Sequence, residues 1–296
     1  MSVWTPIAEK IEEATGEPFR LAEQRSLGGG CISAAVRVED QTGRQYFVKL
    51  NRAEELEMFA AEAEGLAEIA AAEAVRCPHP LVWGEAEGQA FLVMEYLTLG
   101  GRTDTAAARR LGQDLAAMHG RTSERFGWHR DNTIGNTPQP NDRSSDWIAF
   151  WREQRLGFQL RLAARNGYGT RLESAGNMLM EHLDAFFRDY QPVPSLLHGD
   201  LWSGNWDVTS EGDPVIFDPA VYYGDREADL AMTELFGGFP RDFYAAYDAA
   251  WPRDPGYTTR RDLYNLYHVL NHLNLFGTAY LGRSEDLIRR LLSETR

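Results

Sequence analysis

Cysteine is nearly missing from this chain. Only Cys31 and Cys77 carry a thiol among 296 residues, and two isolated cysteines make neither a disulfide framework nor a zinc site. A reducing cytosol is the simplest setting for them. Long apolar runs are missing as well. No window approaches the ~18 consecutive apolar residues of a membrane span, and the opening MSVWTPIAEK has no apolar stretch of the signal-peptide kind. Positive charge is scarce: 30 Lys and Arg face 44 Asp and Glu, a net charge of −14. That argues against wholesale binding to nucleic acid or an anionic membrane, while leaving room for a local basic pocket. There is no internal repeat and no low-complexity linker. What the chain does have is 43% hydrophobic and 11% aromatic residues, enough for one large domain or two lobes with their own cores.

The first third reads as a small sheet carrying one helix. Pro6, Ile7, Ile11 and Gly16 outline a short capped helix. From Phe19 to Leu50 the pattern is β-like. Ile32, Ala34, Val36 and Val38 alternate with polar or small neighbours, DQTG (40–43) is turn chemistry, and RQYFVKL (44–50) is a second strand. Residues 54–72 switch to a helical period through Leu56, Phe59, Ala63, Leu66 and Ala70. LVWGEAEGQAFLVMEYL (81–97) reads as a hairpin. After a connector, TLGGRTD, helices are expected over roughly 105–120, 145–166, 170–190, 227–236, 240–250 and 259–293. Short apolar runs and turns fill 195–218. The outline is α+β and bilobal: an N-terminal β-rich lobe over 1–97 and a larger, mainly helical lobe over 98–296.

The stretch LLHGDLWSGNW (196–206) places Asp200 and Asn205 five residues apart, and Asp218 follows at the end of PVIFD. Two carboxylates and an amide oxygen brought together by a hairpin-like return suit magnesium, which takes hard oxygen ligands and shares them with phosphate and water. Asp200 can orient a hydroxyl and accept its proton while Asn205 and Asp218 hold the metal, the division of labour of kinase-type phosphoryl transfer. Taken alone, HGD is equally an Asx-rich turn. Two further pieces bear on this. Lys49 lies in a strand, where it could reach nucleotide phosphates. Glu62 lies at the edge of the buried face of the next helix, where it could point at Lys49; Glu64 projects to the polar side. Read singly, these are a solvated edge-strand lysine and a surface glutamate. Upstream, LGGGCIS (27–33) would let backbone N–H groups approach phosphates, or serve as a plain hairpin tip.

These residues together resemble the fructosamine kinase (ketosamine 3-kinase) family, a branch of the aminoglycoside and choline kinase-like proteins with a protein-kinase-like fold. The resemblance rests on GGGCIS, FVKL, FAAEAEGL, FLVMEYL, TPQPN (137–141), FWREQRLGFQL (150–160), LLHGDLWSGNW and VIFDPAVYYGDREADLAM (215–232), and spans about residues 20 to 280. It implies an ATP- and Mg²⁺-dependent enzyme that phosphorylates the sugar 3-hydroxyl of a ketosamine, small or protein-bound, after which the adduct falls off. It implies Asp200 as base, Asn205 and Asp218 as metal ligands, and Lys49 with Glu62 on the α- and β-phosphates. Gly28, Gly29, Gly30, Cys31, Ile32 and Ser33 would cover the phosphates. Glu95, Tyr96 and Leu97 would offer hinge backbone to adenine, with Met94 lining the pocket. Asp218 is followed by Pro219-Ala220 rather than Phe-Gly, so a mobile activation segment is not expected.

Asp229, near a helix start, would in this family brace the catalytic loop; it is otherwise an acid favoured by the helix dipole. His198 reads as a structural histidine. Trp202 could stack on the acceptor or pack in the core. Trp151, Arg155 and Gln159, at i, i+4 and i+8, form either a substrate wall or core. Cys31 would be an exposed thiol open to oxidation, and Cys77 a buried, inert one. Two readings stand beside the ketosamine kinase: a related kinase for an aminoglycoside, choline-like or other amino-alcohol acceptor, and an inactive nucleotide-binding protein.

Overall fold

The computed structural model describes residues 2–28 and 33–295. Gly29, Gly30, Cys31 and Ile32, and with them most of the expected phosphate cover and the thiol assigned to oxidation, lie outside the described residues. The chain begins with α1 (Trp4–Thr15). It starts one residue before Thr5 without a side-chain cap, and ends at Gly16, whose φ of 71° is the left-handed conformation glycine adopts freely. Five strands follow: β1 (Leu21–Leu27), β2 (Ala34–Asp40), β3 (Gln45–Arg52), β4 (Pro80–Ala86) and β5 (Gln89–Glu95). They form one antiparallel sheet in the order β1-β2-β3-β5-β4. Between β3 and β4 runs α2 (Leu56–Ala71).

The sheet is covered on both faces, and the alternation of β5 says how. Phe91 and Val93 join Val36, Val38 and Val48 against Ile7 and Ile11 of α1. Ala90, Leu92 and Met94 turn the other way, toward Phe59, Leu66 and Ile69 of α2. A strand buried on both sides reads as a continuous apolar run, which is why AFLVMEYL shows no polar alternation. On β3 the same period sends Val48 to the α1 face, so Phe47 and Lys49 point to the α2 side.

The rest of the described chain is mainly helical: α3 (Thr105–His119), α4 (Trp147–Phe150), α5 (Gly157–Arg165), α6 (Thr170–Glu181), α7 (Glu227–Leu235), α8 (Arg241–Ala250), α9 (Tyr257–Phe276) and α10 (Leu281–Glu294). Short strands punctuate it. They are β6 (Asn132–Ile134) paired with β7 (Thr137–Gln139), β8 (Ser195–Leu197) paired with β11 (Tyr222–Gly224), and β9 (Trp206–Val208) paired with β10 (Pro214–Ile216).

Three expected helices are subdivided. The 145–166 helix passes through a π-helical segment, Trp151–Leu156, between α4 and α5. The 170–190 helix stops at Glu181 and resumes as a tight turn over Leu183–Phe187. The 259–293 helix breaks at Gly277, with φ 93°, into α9 and α10. The β6–β7 hairpin was not expected.

Residues 98–101 connect the two parts and are pinned rather than loose. The backbone N–H groups of Gly100 and Gly101 donate to Val208 O, and Ser210 N–H donates back to Thr98 O at 2.8 Å. The approach is so close that a Cβ on Gly101 would stand 2.1 Å from Thr209 O.

Candidate active site

β8 is buried at all three positions and delivers His198-Gly199-Asp200 at its end. The turn needs a glycine: Gly199 has φ 83°, and a Cβ there would lie 2.0 Å from Ala220 O. Asp229, in the first turn of α7, holds this turn from beneath. Its carboxylate accepts from His198 N–H at 2.7 Å and Gly199 N–H at 2.8 Å, and lies 3.1 Å from His119 Nε2. Burial would raise the Asp229 pKa, but these hydrogen bonds and the neighbouring histidines hold it below the ordinary value.

His198 is committed on both sides of its ring. Nδ1 accepts from Asp200 N–H at 3.2 Å and Nε2 donates to Phe217 O at 3.0 Å. Burial lowers its pKa, so it is a neutral strut with no nitrogen free to take a substrate proton.

The β9–β10 hairpin returns the chain to this loop. Asn205, just before β9, is buried and donates its amide N–H to Asp200 O at 2.9 Å and more distantly to Asp200 Oδ2 at 3.4 Å. Phe217 N–H donates to Asn205 O, which sets Asp218 beside it. Asp218 has φ 58°, the left-handed region that a non-glycine residue seldom adopts. The backbone beyond it is fastened from β6 and β7. Asn132 donates to Val221 O at 2.8 Å and Gln139 to Ala220 O at 3.1 Å.

Lys49 is not on an edge, because β3 is the third of five strands. Its ammonium meets Glu62 of α2 at 2.5 Å and Asp218 at 2.6 Å. Burial would lower the Lys49 pKa, but the charges of Asp218 and Glu62 raise it above the ordinary value. Residues 49, 62 and 218, distant in sequence, are thus joined in one cluster.

Asp200 is pushed up to about 7, by burial first and then by the negative charges of Asp218 and Asp229, with the Asn205 hydrogen bond opposing. The Asp200 turn, the Asn205 amide and the Lys49–Asp218 ion pair are thus joined through the β9–β10 hairpin, and oxygen donors beside a fixed ammonium are the chemistry that a polyphosphate with a hard cation requires. Among the described residues no cluster of three or more His, Cys, Asp or Glu could hold a metal alone. Magnesium needs only one or two protein oxygens and completes its shell with phosphate and water. The Asn205 amide nitrogen is engaged and its oxygen is the donor left, while the Asp218 side chain is half exposed.

Other expected site residues fall as follows. Met94 is buried beneath the sheet, and Glu95 ends β5 with its carboxylate ion-paired to Arg76. Tyr96 and Leu97 are half-buried. Gly28 borders open space and Ser33 accepts from Asn51 Nδ2 at 3.1 Å. Trp202 is 38% exposed and meets Phe236 edge-on at 6.3 Å.

The substrate-wall expectation for Trp151 and Arg155 is corrected: both are fully buried and present no surface. The Arg155 guanidinium lies 4.0 Å from the Tyr222 ring centroid and donates to Pro140 O and Asn141 Oδ1. Cys77 is buried, and burial pushes its thiol up to about 12. The sequence reading missed His119, the amides Asn132 and Gln139, and an aromatic row, Phe236, His272, Phe276 and Tyr280, extending from Trp202. The trace of that row in the sequence is the four-residue spacing of His272, Phe276 and Tyr280.

A lysine fixed by a helix glutamate, an aspartate at the end of a buried strand, and an asparagine and aspartate on the returning hairpin define a kinase of protein-kinase-like architecture. The fructosamine kinase family model matches residues 3–294, and the chain belongs to that family. A probable ketoamine kinase from Synechocystis sp. is 47% identical over 98% of this chain and 97% of its own. A chloroplastic protein-ribulosamine 3-kinase from Arabidopsis thaliana is 44% identical over 96% of this chain and 86% of its own. The crystal structure of a putative fructosamine-3-kinase from Thermobifida fusca superposes with a TM-score of 0.85 at 33% identity, covering 97% of this chain and 98% of the other. A thermostable mutant of an aminoglycoside phosphotransferase, in ternary complex with ADP and hygromycin B, shares the fold alone, with a TM-score of 0.59 at 17% identity over 96% of this chain and 98% of the other.

Proposed function

We propose that this enzyme transfers the γ-phosphate of ATP to the 3-hydroxyl of a ketosamine, free or protein-bound, and so starts removal of the sugar from its amine. Asp200 orients the hydroxyl and accepts its proton, because a carboxylate near pKa 7 is a matched base at neutral pH. Lys49, held by Glu62, takes the α- and β-phosphates. Gly28 through Ser33 cover them, and the backbone of Glu95 to Leu97 receives the adenine, with Met94 behind it. Asn205 and Asp218 would hold magnesium, which supplies charge neutralisation at the phosphates. Asp229 and His198 keep the Asp200 turn in place. Trp202 is the acceptor-side aromatic. The lobe boundary at 97/98 and a cytoplasmic location belong to the same proposal, as does the view that nucleic acid and membranes are not partners. Among the described helices none is long and apolar enough to cross a membrane.

The observation that carries this reading is the joining of Lys49, Glu62 and Asp218 in one ion-paired cluster on the hairpin that also positions Asn205 against Asp200. An inactive nucleotide-binding relative would have no need to keep every member. The test is ADP release from Mg-ATP with ribulosyl-lysine, fructosyl-lysine, an aminoglycoside and choline, each repeated with Asp200→Asn. Turnover on a ketosamine that disappears in the variant is the expected result. Turnover on the aminoglycoside or choline alone would move the acceptor to a neighbouring class.

A further inference from the structure

Glu62 is useful only if α2 keeps one rotation and one height above the sheet. Protein kinases that switch do so partly by moving the equivalent helix. In this protein the outward side of α2 is fastened at three places along its length. Glu57, Glu64 and Glu68 lie on one stripe, and Glu62 stands about 140° round the helix from Glu57.

All three stripe carboxylates are taken by one segment, residues 128–130, together with Tyr223 of β11. Arg130 pairs with Glu57 at 2.5 Å and with Glu64 at 2.6 Å, and His129 Nε2 lies 2.7 Å from Glu64. Trp128, itself buried, donates its indole N–H to Glu68 at 2.5 Å, and Tyr223 donates its hydroxyl to the other oxygen of Glu68 at 2.8 Å.

The segment is itself anchored. Gly127 and Tyr223 exchange backbone hydrogen bonds at 2.9 Å, and Trp128 N–H donates to Asn141 O. Between these ties, Gly65 brings α2 so close to the chain after Asp218 that an added Cβ would lie 3.1 Å from Val221.

The geometry points to residues 128–130 as a strap that holds α2, and through it Glu62, in register with Lys49; Trp128 and Arg130 are positioning residues for nucleotide binding. The inference rests on the reading of Lys49 and Glu62 as the phosphate clamp. Arg130 touches neither member of that pair in the structure, so its effect has to travel through the helix. Because the Glu57 carboxylate is largely exposed and Glu64 about a third exposed, each tie is individually weak. The strap acts by fixing several points at once.

The experiment is a double-mutant cycle on direct ATP binding, with Arg130→Ala and Glu62→Gln made singly and together, and Lys49→Ala as control. Arg130→Ala is expected to weaken ATP about three- to fivefold, the range of an exposed ion-pair network, with a matching rise in the KM for ATP. In the Glu62→Gln background the same change is expected to do almost nothing, because the group it acts through is gone. The KM for the acceptor stays unchanged, and Arg130→Lys, whose one ammonium can keep only one of the two ties, restores part of the loss. Equal losses in both backgrounds would overturn the strap, since a general structural defect does not depend on Glu62. If Arg130→Ala fails to fold, Glu64→Gln removes the tie from the other side and the same cycle is run. If Lys49→Ala leaves ATP affinity intact, the clamp reading itself fails. If Lys49→Ala weakens ATP while Arg130→Ala and Glu64→Gln do not, the clamp stands and the strap falls.

Discussion

Asp200 is a carboxylate placed where ionisation is costly. Burial and the charges of Asp218 and Asp229 raise its pKa to about 7, far above an ordinary aspartate. Two outcomes follow at this single residue. The base is the ionised form, so kcat/KM is expected to climb as pH rises through about 7 and to level off above it. Asp200→Asn is expected to remove that limb and to lower turnover by about 10²- to 10⁴-fold; a retained limb in the variant would assign it to another group. The same shift acts on stability with the opposite preference. A carboxylate whose folded pKa lies above its unfolded value favours the native state most at pH below the unfolded pKa, and that contribution is lost as pH rises toward about 7. The amide variant carries no such penalty. Asp200→Asn is therefore expected to melt above the parent at pH 8 in the absence of magnesium, with the gap shrinking at pH 5.

At the scale of elements, α7 and β8 form a unit through Asp229. Its two backbone hydrogen bonds, at 2.7 and 2.8 Å, belong to N–H groups with no other place to go. Asp229→Ala orphans both, and a buried donor left unmade costs about 1–3 kcal/mol. Unfolding in urea is expected to show a loss of about 3 kcal/mol, with kcat falling more than either KM changes. Gly199→Ala is expected to be worse for activity, because the added methyl meets Ala220 O and the φ of 83° disfavours it. Steady-state kinetics beside a thermal melt separates the two effects. What the sequence made legible here followed from short-range pattern. The Lys49 strand and the period of Phe59, Leu66 and Glu62 each lie within one element, where periodicity of 2 or 3.6 is informative, and Asp200 and Asn205 share one short loop between β8 and β9. The placement of Asp229 came from family resemblance. The partners His119, Asn132 and Gln139 were not legible, because a lone buried amide or imidazole gains its role from an element far away in sequence. The π-helical segment at Trp151–Leu156 escaped notice for a related reason. Trp151 and Arg155 within it and Gln159 in α5 are all buried, so their i, i+4 pattern could not distinguish a wall from a core.

For the whole molecule, the question is whether two lobes mean two folding units. One apolar cluster answers it. Phe59 and Leu66 of α2 and Leu92 and Met94 of β5 share a continuous buried core with Leu111 of α3, Val208 of β9, Ile216 of β10 and Leu270 of α9. The smaller cluster, around Ile7, Ile11 and Val48, lies on the far face of the sheet. The inner face of the N-terminal sheet and α2 are therefore completed by the C-terminal lobe. Polar ties cross at the same place. Ile216 N–H donates to Arg76 O at 3.0 Å, and residues 98–101 bond along Val208 to Ser210. A fragment of residues 1–97 would expose the apolar face of α2 to water and is expected not to fold alone. The intact protein is expected to unfold in one calorimetric transition, with van't Hoff and calorimetric enthalpies in a ratio near one. Saturating Mg-ATP is expected to shift that single transition upward without splitting it, because its proposed ligands Lys49, Asn205 and Asp218 come from both lobes and a native-state ligand stabilises everything that must open to release it. Two resolved transitions, with only the first moved by nucleotide, would instead mean that the shared core is too weak to couple the lobes and that the cleft opens before either lobe melts.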